Sequence, residues 1–144
     1  MANKLPELIE FYENLQPSDI DNLGELYAAD AIFKDPFNEV RGIDAIRHIF
    51  RHMFVQVDQP RFVVTAKFTG DDGAMLLWDF SFRTRGFAGA GAQPMCIRGA
   101  SHLRFNAADQ VIEHRDYWDA AEELYAKLPL LGAVMRRLQA AGRA

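Results

Sequence analysis

The stretch PMCIRGASHLRFNAADQVIEHRDYW, residues 94–118, decides the fold. In its first half Ile97, Gly99, Ser101, Leu103 and Phe105 alternate with Cys96, Arg98, Ala100, His102 and Arg104. After residues 106–109 the alternation resumes, with Ile112, His114, Asp116 and Trp118 set against Val111, Glu113, Arg115 and Tyr117. A period of two sustained this long belongs to β-strands with one covered face, and the short turn between them folds the pair into an antiparallel hairpin. Charged residues crowd the second set of each strand, so the first set is the inner face. His114 and Asp116 therefore point inward among apolar neighbours. An unpartnered imidazole or carboxylate there costs a few kcal/mol, so the two belong to a hydrogen-bonded network or to a site.

Working outward, residues 62–69 and 74–84 show the same period and complete an antiparallel meander of four strands. A tight turn falls at residues 70–73, and a longer Gly/Ala loop at residues 85–93 is expected at a pocket mouth. Upstream the period is helical. Leu5, Leu8, Ile9, Tyr12 and Leu15 mark a first helix closed at Pro17. Ser18 with Asp21 reads as a capping box for a second, whose buried stripe is Ile20, Leu23, Leu26 and Tyr27. Residues 31–35 form a short strand ended by Pro36, which places Asp35 at a strand end. Gly42 opens a third helix with Ile43, Ile46, Ile49, Phe50, Met53, Phe54 and Val57 on its apolar face. Its His48 and His52 have the spacing of helical metal ligands, but Arg47 and Arg51 stand beside them and no third ligand is evident, so they read as a solvated face and no metal is expected. Past Trp118, Asp119 and Glu122 cap a last helical region divided by Pro129. Its apolar side, Leu124, Leu128, Leu131, Val134 and Leu138, suits core, lid or dimer contact alike.

The 144 residues are enough for one domain with a real core and too few for two. With 49% hydrophobic and 25% charged residues the composition is globular, not disordered. A formal charge of -4 leaves no broad cationic surface, so nucleic acid is not an expected partner. The single cysteine, Cys96, makes no internal disulfide and reads as a small buried apolar residue. Neither a signal peptide nor an apolar run long enough for a membrane span is visible, and a cytoplasmic location is expected.

Three short motifs carry a resemblance: Phe33-Lys34-Asp35-Pro36-Phe37, then Gly42-Ile43-Asp44-Ala45-Ile46, then His102-Leu103-Arg104-Phe105-Asn106. In this order the chain resembles the nuclear transport factor 2-like superfamily, and within it SnoaL-like proteins and ketosteroid isomerases, from the first helix to Trp118. The resemblance implies an α+β fold, cone-shaped (cystatin-like), in which a curved, mostly antiparallel sheet wraps around helices. One SnoaL-like domain would cover residues 1–144, with a core at about 5–118 and a C-terminal helical extension at 119–144. It also implies a cofactor-free pocket for a hydrophobic small molecule and a homodimer through the outer sheet face, where Leu77, Ala100 and Tyr117 would meet a partner.

By the same resemblance Asp35 matches the catalytic base of ketosteroid isomerases. Their oxyanion tyrosine falls on Phe11 and their protonated aspartate on Ser101. Without those donors an enolate loses several kcal/mol of stabilisation, which argues against a faithful steroid isomerase. Asp116 with His114 is similar to the acid/base carboxylates of SnoaL-like cyclases. Limonene epoxide hydrolases need an arginine between two aspartates, and Arg98 lies on the wrong strand face. The expected function is acid/base proton transfer on a hydrophobic carbonyl compound, as in an isomerase or a polyketide cyclase-like lyase, with Asp35, His114 and Asp116 catalytic. Phe33, Phe37, Phe54, Trp78, Leu103 and Trp118 would line the pocket with Phe11 and Ser101. The alternative is a non-catalytic module that binds an apolar ligand or serves dimerisation.

Overall fold

The computed structural model of the chain describes residues 4–85, 92–125 and 129–143. Helix α1, Leu5–Glu13, buries Leu5, Leu8 and Tyr12 along one stripe. A 3-10 helix follows at Pro17–Glu25. Its start differs from the capping expected at Ser18 and Asp21: the backbone N–H of Gln16 donates to Asp19 Oδ2 at 2.9 Å. Pro17, with no N–H of its own, takes the first helical position and puts the cap at Gln16, two residues before Ser18. Three residues per turn align Ile20, Leu23 and Leu26, so Tyr27 falls off that row. Instead of ending a helical stripe, Tyr27 opens strand β1, Tyr27–Lys34.

Strand β2, Glu39–Arg41, pairs antiparallel with β1. Gly42, at φ 98, turns the chain into helix α2, Ile43–Gln56, in a conformation that disfavours side chains. Strands β3, Asp58–Gly70, β4, Gly73–Arg83, β5, Pro94–Phe105, and β6, Val111–Tyr117, then run as the expected meander. The six-stranded sheet has the order β2-β1-β6-β5-β4-β3, in which only β1 and β6 are parallel. Register shifts in β3, between Asp58 and Arg61 and between Val64 and Ala66, bend it as bulges do. Next to the second, Glu13 at the end of α1 accepts the Val64 N–H at 2.9 Å and ties the helix to the sheet.

The core fills the space between α1, α2 and the inner sheet face, with Leu8, Ile20, Leu23, Tyr27, Ile46, Leu76, Leu103 and Val111 fully buried. Inner faces follow the alternation at Ile97, Ser101, Leu103 and His114, which are buried, but not at Val111, expected on the outer face yet fully buried where the β5–β6 register shifts between Arg104 and Phe105. Cys96 corrects one expectation. It is exposed, because it shares the outer face of β5 with Arg98 and Ala100. Leu77, Ala100 and Tyr117 form one row across the outer face by register, with Leu77 and Tyr117 exposed. Helix α3, Ala120–Glu123, is capped by Asp119, which accepts the Glu122 N–H, and Arg98 Nε holds the buried Glu123 at 2.8 Å. Helix α4, Pro129–Ala141, starts at the proline expected to divide this region. Most of the loop expected at residues 85–93, and Leu128, lie outside the described residues. Among the described residues no helix is long and apolar enough to cross a membrane.

Gly99 pairs with Trp78, whose six-membered ring lies where a Cβ on residue 99 would sit. Gly99→Ala is expected to displace the indole and lower stability by about 1–3 kcal/mol. Urea unfolding followed by tryptophan fluorescence measures this, and an unchanged midpoint would contradict the packing.

Candidate active site

Four strands bring the polar side chains together. The parallel register of β1 and β6 puts His114 beside Phe33, and the antiparallel register of β5 and β6 puts Asp116 beside Ser101 and His114 beside Leu103. The β4–β5 pairing then sets Trp78 next to Gly99, two residues from Ser101 on the same face.

The result is one chain of hydrogen bonds. Trp78 Nε1 donates to Ser101 Oγ at 2.8 Å, and Ser101 Oγ donates to Asp116 Oδ1 at 2.5 Å. His114 Nε2 meets the same oxygen at 2.6 Å. On the other side of the ring, Nδ1 lies 2.6 Å from Tyr27 Oη, which lies 2.5 Å from Tyr12 Oη. Tyr12 Oη is 3.4 Å from Nδ1. Donor counting orders the protons. Asp116 as a carboxylate only accepts, so Nε2 carries a hydrogen. If Tyr12 donates to Tyr27 and Tyr27 to Nδ1, every proton has an acceptor and His114 is the neutral Nε2–H tautomer. A proton on Nδ1 would turn both hydroxyls around and leave that of Tyr12 with no good acceptor among the described residues.

Aromatic rings enclose this chain. Phe33 stands edge-on to the His114 ring at 4.8 Å, Tyr12 at 5.8 Å, and Tyr27 stacks at 6.0 Å. His114 is only 4% exposed, whereas the Asp116 side chain is 17% exposed, so the chain meets solvent at its carboxylate end. Asp116 Oδ1 is fully engaged, while Oδ2 has no hydrogen-bond partner among the described residues. Asp116 lines a cleft of about 590 Å³ with Lys34, Asp35, Pro36, Arg115, Tyr117, Trp118 and Asp119. The exposed Phe37 packs edge-on against Trp118 at 5.6 Å and Tyr125 at 6.5 Å, which makes an apolar shoulder there.

Asp35 lies on the rim of the same cleft, and its carboxylate is occupied. Oδ1 accepts the N–H of Phe37 at 2.8 Å and of Asn38 at 2.7 Å, and Asn38 Nδ2 reaches both oxygens. This is the turn-capping use of an aspartate before proline. Of the other expected lining residues, Phe33, Trp78, Ser101 and Leu103 are buried around the chain, Phe54 packs against the core, Trp118 lines the cleft and Phe37 packs against Trp118. Phe11 lines a different cleft, beside α1. Tyr12 and Tyr27 are the members of this hydrogen-bond chain that sequence reading missed. His48 and His52 stack at 6.0 Å on the exposed side of α2, and no metal-holding cluster occurs among the described residues.

Burial pushes the phenols of Tyr12 and Tyr27 well above the ordinary tyrosine range, and the Asp116 charge adds to the rise at both. A raised acid keeps its proton in the folded state, so its contribution is complete below the unfolded value near pH 10 and is lost as pH rises further. Each of Tyr12→Phe and Tyr27→Phe is expected to reduce the alkaline loss of stability by about 1.4 kcal/mol per pH unit above pH 10. Denaturant unfolding from pH 9 to 12 measures the slope, and slopes equal to the parent's would contradict the buried pair.

Comparison with known proteins agrees with this architecture. The family model for the SnoaL-like domain matches residues 8–114. No curated protein matches the sequence. Among solved structures, a hypothetical protein from Catenulispora acidiphila with a ketosteroid isomerase-like fold, crystallised with trimethylamine, is 17% identical, with a TM-score of 0.71 over 88% of this chain and 94% of that one. A protein provisionally named a SnoaL-like polyketide cyclase, from Shewanella putrefaciens, is 17% identical with a TM-score of 0.70 over 86% and 97%. AclR from Streptomyces galilaeus, provisionally named a hydroxylase, is 18% identical with a TM-score of 0.66 over 89% and 92%. At these identities the structures share the fold, and the family match covers most of the chain: the protein belongs to the SnoaL-like domain family.

Proposed function

We propose that the protein is a cofactor-independent acid/base enzyme acting on a hydrophobic carbonyl compound, with Asp116 as the proton-transferring carboxylate and His114 as its positioning partner. The observation that carries this reading is the half-engaged carboxylate of a cleft-lining residue: Oδ1 of Asp116 is held by Ser101 and His114, and Oδ2 has no hydrogen-bond partner among the described residues. Such a group is fixed in orientation and keeps a lone pair for a substrate. Asp35, the expected base, sits in the same cleft but spends its oxygens on the turn, so it acts here by shaping the rim.

In the proposed reaction Oδ2 takes a proton from the carbon next to the carbonyl, and the electron pair passes to the carbonyl oxygen as an enolate. Return of the proton at another carbon gives isomerisation, and attack of the enolate carbon on a second carbonyl closes a ring, the resulting alkoxide taking the proton back from Asp116. The Ser101 hydroxyl is already donating to Asp116, and Phe11 has no donor. The substrate must therefore bring its own acidity, as a benzylic or doubly activated ketone does. Trp118 and Phe37 give a flat apolar ring a surface to rest on.

2-Tetralone is a suitable probe, being apolar with an acidified benzylic position. The protein is expected to accelerate deuterium uptake from heavy water at that carbon, Asp116→Asn to lose about 100-fold or more, and Asp35→Asn to stay within a few-fold of the parent. Equal exchange by parent and Asp116→Asn would overturn the assignment. Loss only in Asp35→Asn would return the role of base to Asp35.

A further inference from the structure

The charge of the chain is divided unevenly. Four of the 16 basic residues, Lys127, Arg136, Arg137 and Arg143, and none of the 20 acidic ones follow Glu123. The preceding residues therefore carry -8 and the tail +4, which is hidden in the total of -4. Within this basic tail α4 exposes Leu131, Val134 and Leu138, at 39%, 50% and 61%. Their spacing of three and four residues places them on one side of the helix, with the exposed Arg137 beside them. A helix face of this kind, basic and apolar together, is built to cover something.

The body carries a matching surface. Beside α1 lies a cleft of about 620 Å³ whose apolar lining is Phe11 and Leu26 and whose walls include Glu7, Glu10, Asp19 and Glu25, with Lys4 the one cation in its lining. It is separate from the Asp116 cleft and has no part in the proposed chemistry. An anionic membrane is the other surface that a basic amphipathic helix can choose, but a body of charge -8 would be repelled by it.

We propose that α4 of one copy docks in the α1-side cleft of a second copy, with Leu131, Val134 and Leu138 on Phe11 and Leu26 and with Arg137 among the glutamates. The exchange is reciprocal, so two contacts close one dimer. Opposite charge brings the pieces together and sets their register, while the apolar stripe holds them.

Sedimentation of the full chain at 50 mM and 500 mM salt tests this. The parent is expected to be a dimer at low salt whose dissociation constant rises at least about tenfold at high salt. Leu138→Glu, on an exposed position that leaves the fold intact, is expected to give monomers, and so is Arg137→Glu. The combination of Arg137→Glu with Glu7→Lys and Glu10→Lys is expected to restore the dimer, a rescue that general loss of folding does not produce. A parent that stays monomeric, or a dimer that none of these substitutions weakens, would overturn the proposal. Co-sedimentation of the parent, but not of Leu138→Glu, with phosphatidylserine vesicles would overturn it in favour of a membrane.

Discussion

An imidazole sealed from water loses two hydrogen-bonding partners at once, and a protein that buries one must supply both. His114 is 4% exposed and has both. One nitrogen meets a carboxylate two residues along its own strand, and the other meets a tyrosine that starts the strand alongside. The parallel pairing of β1 with β6 is what makes this possible. It places Tyr27 and Phe33 next to β6, while α1 brings Tyr12 over the top. The sheet topology and the polar chain are therefore one constraint: β6 needs a partner on each side, and His114 needs a donor and an acceptor from those sides.

The two ends of this chain serve different purposes. The tyrosine end is closed and apolar, and burial keeps both phenols protonated, so they are permanent donors. The carboxylate end opens to a cleft with an aromatic shoulder. Under the proposed function, a carboxylate whose orientation is set from behind by Ser101 and His114 would need little reorganisation when a substrate arrives. Trp78 extends the support one step further, since its ring position over Gly99 brings its N–H to Ser101.

Much of this was legible in the sequence. The alternation in residues 94–118 gave both strands, their inner faces apart from the buried Val111, and the inward placement of His114 and Asp116. The motifs at residues 33–37 and 42–46 gave the family. What could not be read is the part that depends on three-dimensional closure. Tyr12 looked like one member of a helical stripe and Tyr27 like the end of another, because periodicity reports which side is buried and not what the hydroxyls reach. Asp35 stands out as a strand-end aspartate before proline, but only closure of the turn shows that two backbone N–H groups and one amide of the same turn reach its carboxylate. Cys96 is exposed because its place in the alternation, beside Arg98 and Ala100, outweighs the usual burial of its residue type.

The account rests on His114 being the neutral Nε2–H tautomer, fixed between Asp116 and Tyr27. Nitrogen-15 NMR of the histidine-labelled protein near pH 7 tests this most directly. The account predicts, for the buried ring, a protonated Nε2 and an unprotonated Nδ1, with the Nε2 proton far downfield and lost from view in Asp116→Ala. A proton on Nδ1, or an Nε2 resonance indifferent to Asp116, would contradict it.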